Sequence, residues 1–581
     1  MSDIAGLPPA AWLTLAGVGL GLTFIGEQYV EGKLFRSKKK ALPGRQLNPP
    51  EIPTRDEIGK YCLILNNDRS YPVIIGEDAR FLHVQILGAT GVGKNYYAML
   101  PWIYQDIQNG AGCVIIDPKG AMRGLVAAYA KKFHRLHQTH FLSLSKPGLS
   151  DTYSPFVDPD PHVVAERFYE AFYQDDKTPT PYYKEHAHGF LLNLFGLFKK
   201  MNVVPTMDQV RTIALDQDAL AMLLRTAPAC REAKEMHFQM VVGTKGDEYR
   251  KSFQGLVNKL TAVCGAPFAP VLNTTSPSIN MRDVLTKGEI LYVDLAADLY
   301  PTSFQRISTM LMMDLQNCLT DRYQKPHLKP TFLYMDEFAD LIYPKVRALI
   351  AKARDARVGV VYAHQSLGDL EHHGEGIAKG IFESSRNKVV FQVGSAETAE
   401  YLSKLFGTKT VEREVVNYSF GEGIFAGATQ KKGMTPIQEE QFLVHPNDLK
   451  NLPTGSAACL IQRGLKGRSP YLIALQHAPD SVLPLRDDEM LKPLQGIQLP
   501  VLEISGGASK VLPAPATQPL NQAAIDALKK LGEKRRANPL PDDGPPEEPK
   551  APPSPPNKPL DPTTDKAPSK KPRKKRRAEE S

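Results

Sequence analysis

The chain has 581 residues, 42% of them hydrophobic and 23% charged, which allows several buried cores and excludes wholesale disorder. Its six cysteines (Cys62, Cys113, Cys230, Cys264, Cys318, Cys459) stand far apart with no CxxC pair, excluding a disulfide-stapled secreted scaffold and a sequence-readable zinc ribbon. The net charge of +8 sits at the ends, +3 over residues 1–45 and +6 over 505–581, so the body is near −1 and has no global basic field for nucleic acid.

Residues 4–26 carry no charge between Asp3 and Glu27. A helix of roughly 20 such residues spans a hydrocarbon core, so this stretch predicts one transmembrane helix. Lys33, Arg36, Lys38, Lys39, Lys40 and Arg45 follow it, against Asp3 alone before it. That bias places the rest of the chain in the cytoplasm. Residues 27–60 then read as a basic, proline-rich linker.

Short apolar runs alternate with helical stretches from about residue 60. LHVQIL (82–87), GCVII (112–116) and FLSLS (141–145) read as buried strands. Alternation of this kind implies a parallel sheet with helical crossovers. Over 156–282 the apolar residues are spaced helically instead, as in HVVAERFYEAFY and YRKSFQGLVNKLTAV. The expectation is an all-α domain inserted into an α/β domain formed by 61–155 and 283–490. Strand-like runs return at ILYVDLA (290–296), TFLYMDE (331–337), VGVVYAHQ (358–365) and KVVFQV (388–393). Residues 505–581 read as a mostly disordered tail. Its last 43 residues hold thirteen prolines and include KKPRKKRR (570–577), too little apolar surface to fold alone.

The chemistry begins at GATGVGKN (88–95), a GxxxxGK match that follows a predicted strand and opens a helix. In such a loop the backbone N–H groups point inward at phosphates and the lysine reaches the β and γ oxygens. Gly88, Ala89, Thr90, Gly91, Val92, Gly93, Lys94 and Asn95 are therefore the candidate phosphate-binding residues. The motif has Ser or Thr on Mg²⁺ where this chain has Asn95. FLYMDEF (332–338) ends a core strand in two carboxylates: Asp336 suits the metal's water shell, and Glu337 the orientation and deprotonation of an attacking water. Asp294, a lone acid, reads as the end of a neighbouring strand. The histidine groups His134/His137/His140 and His186/His188 have no cysteine or HExxH partner, and read as scattered rather than ligating.

Further stretches extend the pattern: IIDPKG (115–120), YSPF (153–156), RDARVGVVYAHQS (354–366), AETAEYLSKLFGTKTV (396–411) and VHPNDLKNLPTGSAACLIQRG (444–464). With the phosphate loop and FLYMDEFADL (332–341), they make the chain resemble the VirD4/TraG/TraD group of type IV coupling proteins over roughly 70–475. These are membrane-anchored RecA-like ATPases of conjugation and type IV secretion, and the motifs keep the family's order.

The resemblance implies a RecA-like P-loop nucleotide-binding domain with an inserted all-α domain, binding ATP and Mg²⁺. Asp336 and Asn95 would hold the metal. Gln365 would sense the γ-phosphate, and Arg354 would reach a neighbouring subunit's nucleotide. The implied partners are single-stranded DNA with its bound relaxase, the type IV secretion channel, the bacterial inner membrane and five further copies in a homohexamer. Two other functions share these features: a protein-effector recruiting platform with secondary ATPase activity, and an FtsK/HerA-like translocase of double-stranded DNA. Many family members have two membrane helices where this chain has one.

Overall fold

The computed structural model describes residues 58–490, apart from 67, 69–71, 174–180, 244–245, 266, 324, 326–327, 424–425 and 465–466. The predicted membrane helix (4–26), most of the linker and the whole tail (505–581) lie outside the described residues. Among the described residues, no helix is long and apolar enough to cross a membrane.

Nine strands form the main sheet. In chain order they are β1 (Val84–Leu87), β2 (Gly112–Ile116), β3 (Thr139–Ser143), β4 (Ile290–Asp294), β5 (Thr331–Met335), β6 (Val358–His364), β7 (Asn387–Val390), β8 (Ser456–Gln462) and β9 (Arg468–Ala474). Their order across the sheet is β9-β8-β7-β1-β6-β5-β2-β4-β3. The seven strands from β7 to β3 run parallel, and β8 and β9 add an antiparallel edge. The parallel strands are mostly apolar because helices cover both faces and bury their side chains, apart from the partly exposed His140 of β3.

One face packs on α1 (Leu100–Asn109) and α2 (Arg123–Lys132), with Trp102, Ile103, Val126 and Tyr129 buried against Ile86, Ile115 and Tyr334. The other face shares its core with the helical segment between β3 and β4. There Phe168 of α3 (Pro161–Tyr173), Phe190 of α4 (Pro181–Lys200) and Phe253 of α5 (Gly246–Cys264) join Val114, Val293 and Leu333 of the sheet. A buried ion-pair cluster reinforces this side: Arg167 meets Asp158 at 3.1 Å and Asp314 of α6 (Pro301–Arg322) at 2.9 Å. Tyr153 donates its hydroxyl to Asp314 at 2.8 Å.

Three features depart from the sequence reading. His83 takes φ 63, so β1 starts at Val84 rather than residue 82. The third strand begins two residues earlier than predicted, because Thr139 pairs with Ile290. Asp294 does not end a neighbour of β5: β2 lies between the two strands. Two elements were not anticipated at all. One is the β8–β9 pair, and the other a long antiparallel ribbon, Thr408–Gly423 against Ala426–Phe442, that pairs outside the main sheet.

Two histidines are buried within the sheet. His364 bonds Gln85 through one ring nitrogen (2.7 Å) and the Ser366 carbonyl through the other (2.8 Å), while His83 accepts the Val360 N–H at 3.2 Å. Burial pushes each pKa down to about 4. Both are neutral when folded, yet protonate near 6.5 when unfolded, so their contribution is complete above pH 6.5 and is lost as pH falls toward 4. Each removes about 1.4 kcal/mol per pH unit inside that window. Denaturant titrations should therefore give lower stability at pH 5 than at pH 6.5. Equal stability at the two values would contradict the neutral, buried assignment.

Candidate functional site

Four adjacent strands, β1, β6, β5 and β2, end at the same edge of the sheet, the carboxyl edge where open α/β sheets hold their ligands. Register does the placing. Leu87 pairs with His364, Met335 with Tyr362, and Ile116 with Met335. The residues that follow these strand ends, Gly88, Gln365, Asp336–Glu337 and Asp117–Lys119, therefore emerge side by side.

The loop after β1 folds tightly. Gly93 takes φ 87, which a Cβ would strain, and a Cβ on Gly88 would stand 2.7 Å from that of Phe391. Lys94 is 9% exposed. It donates its ammonium to the carbonyls of Gly88 (2.8 Å) and Ala89 (3.3 Å), closing the loop on itself. Burial lowers its pKa, against the pull of Glu337 and Asp336. The chain then enters a wide π-type turn, Asn95–Met99, before α1, an irregularity that often marks a functional site.

Across from the loop, Asp336 is buried and its pKa is raised by burial, with the Asn95 bond as the main opposing influence. Asn95 donates its Nδ2 to Asp336 Oδ2 at 2.5 Å, so the two expected metal-side residues meet directly. Glu337 stands at φ 44, ψ 50, in the left-handed region that costs a non-glycine residue about 1–3 kcal/mol. Its carboxylate is held from both sides. Lys119 Nζ reaches Oε1 at 2.7 Å, and Gln365 Nε2 donates to Oε2 at 3.2 Å. Burial pushes the Glu337 pKa up, but these bonds and the charges of Lys119 and Lys94 outweigh it and leave it below the usual value. Thr90 closes the circuit by donating to Gln365 Oε1 at 2.8 Å.

The structure thus brings Thr90, Lys94, Asn95, Asp336, Glu337 and Gln365 together. Arg354 does not join them. It is exposed at the end of α7 (Val346–Asp355), and its charge acts on His83, at the amino end of β1 and so the far edge of the sheet. Lys119 was missed by the sequence reading. Its DPKG setting was visible, but nothing in residue spacing ties a loop lysine to a carboxylate 218 positions away.

The residues present fit a phosphate-bearing ligand and a hard cation. The loop offers backbone N–H groups and a lysine. Asp336 with the Asn95 amide is a donor set of the kind Mg²⁺ accepts when it keeps waters and phosphate oxygens. Among the described residues, no cluster of three His, Cys, Asp or Glu side chains exists that would hold a metal unaided.

The family model described as "Type IV secretion-system coupling protein DNA-binding domain" matches residues 72–467. No curated protein matches the chain. Among solved structures, the bacterial conjugative coupling protein TrwBΔN70 is similar, at 19% identity over 71% of this chain and 89% of that one, with a TM-score of 0.52. TrwB in complex with the GTP analogue GDPNP is 19% identical over 76% and 98%, with a TM-score of 0.50. TrwB with ADP and Mg²⁺ is 19% identical over 70% and 87%, at 0.48. The first two likenesses agree with the α/β fold described above. With the family model covering more than half of its length, the chain belongs to the type IV secretion-system coupling proteins.

Proposed function

We propose that the chain is a membrane-anchored ATPase that recruits a relaxase bound to single-stranded DNA and drives it into a type IV secretion channel, working as a homohexamer at the bacterial inner membrane. The observation that carries the ATPase reading is the meeting of Lys94, Asp336, Glu337 and Gln365 at one sheet edge, from the ends of three strands separated in sequence. Residues 61–155 and 283–490 would form the nucleotide-binding domain and 156–282 the all-α domain. TrwB's complex with GDPNP shows that a coupling protein takes a nucleoside triphosphate analogue.

In this reading the loop's N–H groups and Lys94 bind the β- and γ-phosphates. Asp336 and Asn95 would hold Mg²⁺, which supplies charge neutralisation at the transferring phosphoryl group. Glu337, held ionised and oriented by Gln365, accepts a hydrogen bond from the attacking water. Gln365 links that carboxylate to Thr90 and so to the phosphate loop. Arg354 lies too far around the sheet to serve its own site, which is the arrangement expected of a residue donated to a neighbouring subunit.

The test is ATP hydrolysis by the full chain in detergent, alone and with DNA. Single-stranded DNA is expected to raise the rate. Stimulation by double-stranded DNA only would favour the translocase, and hydrolysis indifferent to DNA would favour the protein-recruiting platform.

Asn95 allows a second test. Its side chain places oxygen one bond further out than a Ser or Thr hydroxyl, and Mg²⁺ demands near-ideal geometry at about 2.1 Å. Asn95→Thr should raise turnover severalfold and lower the Mg²⁺ requirement, with nucleotide affinity nearly unchanged. A slower variant at every Mg²⁺ concentration would contradict this account of the position.

A further inference from the structure

Resting on the reading of this edge as an ATP site, we propose that Lys119 is a second phosphate-facing cation of the site, one that binds the terminal phosphoryl group of the triphosphate and in doing so releases Glu337. Its loop is built to present it. Asp117 is fully buried and takes the backbone N–H groups of Lys119 (3.2 Å), Gly120 (3.1 Å) and Met122 (2.7 Å), and the hydroxyl of Tyr292 (2.7 Å). Gly120 completes the turn at φ 73. A buried carboxylate with four donors makes a stiff mount, from which the lysine side chain projects.

The ammonium lies 2.7 Å from Glu337 and its side chain is 48% exposed. It is near enough to Lys94 that its charge lowers that lysine's pKa, so two cations face one pair of carboxylates, Asp336 and Glu337. Lys94 is occupied with its own loop's carbonyls, whereas Lys119 is held only by a half-exposed ion pair. Such pairs contribute little, about 0–1 kcal/mol, so the partner is easily exchanged. A phosphoryl group carries more negative charge than one carboxylate, and a lysine on a four-carbon stem can turn to it without moving the mount. The ion pair is then the resting state of the site: it neutralises Glu337 while no γ-phosphate is present, and gives it up when one arrives.

A purely structural role predicts something different, namely that Lys119 matters only through Glu337. The experiment therefore starts from the Glu337→Gln full-length protein, in which the ion pair is already gone. Affinities for ADP and for the non-hydrolysable analogue ADPNP, both with Mg²⁺, are measured before and after adding Lys119→Ala. A lost charge-assisted bond should weaken ADPNP about tenfold while ADP stays within about twofold. Lys119→Arg in the same background should restore most of the ADPNP affinity. Unchanged affinity for both nucleotides, or an equal loss for both, would overturn the assignment. If Glu337→Gln binds neither nucleotide while folded, the nucleotide-site reading itself fails and the role of Lys119 falls with it. In the otherwise native protein, Lys119→Ala should lower kcat with little change in ADP binding.

Discussion

Lys94→Ala is expected to lower ATP turnover by on the order of 10³-fold, the size of effect seen when one preorganised charge aimed at a transition state is removed. Lys94 is the sole charged side chain contributed by the loop Gly88–Asn95, and its buried position at the loop's closing bonds ties it to fold as well as charge. Lys94→Arg separates these roles: it keeps the charge but not the shape that seats against two carbonyls. The expected order of turnover is native, then Lys94→Arg, then Lys94→Ala, with near-native far-ultraviolet circular dichroism throughout. Turnover within a few-fold of native in Lys94→Ala would remove the loop from the hydrolytic site.

The second large effect is on stability and lies behind the site. Arg80 and Asp106 form an ion pair 1% and 0% exposed, with Nη1–Oδ1 at 2.6 Å and Nη2–Oδ2 at 2.7 Å. Tyr334 donates its hydroxyl to Asp106 at 2.5 Å, and Arg80 lies over the Phe332 ring at 3.2 Å. The network joins α1, which begins just beyond the phosphate loop, to β5 two residues before Asp336. Asp106→Ala strands the Arg80 charge in the core, which costs about 3–5 kcal/mol. Replacing both partners with apolar residues, Arg80→Met with Asp106→Leu, removes the stranded charge and should recover much of the loss. Urea unfolding of the three proteins checks this. An Asp106→Ala midpoint equal to native would show that Arg80 finds water or another partner.

How much of this was legible in the sequence follows from the kind of signal each residue leaves. The phosphate loop and the DE pair declare themselves, because glycines at fixed offsets and carboxylates at a strand tip are local patterns. The helical segment between β3 and β4 is equally plain, since its apolar residues repeat with the helix and meet in one core around Phe168, Phe190 and Phe253. The order of strands is not local, so Asp294 was placed one strand too near β5. β8 went unread because Ser456, Ala457 and Ala458 lack the branched side chains that mark strands. The 408–442 ribbon went unread because its arms, at 16 and 17 residues, are far longer than most strands and rich in charge. Arg80 with Asp106, and Lys119 with Glu337, leave no pattern at all: each pair is made by the fold.

The proposed mechanism requires the loop 88–95 and the residues Asp336, Glu337 and Gln365 to form one nucleotide site. It is tested most directly by determining the structure of the full chain with ADPNP and Mg²⁺ bound. Phosphates are expected against the backbone of Gly91–Lys94, the metal on the Asp336 side, and Glu337 and Gln365 facing the γ-phosphate. Nucleotide bound elsewhere, or an empty loop at saturating ADPNP, would contradict it.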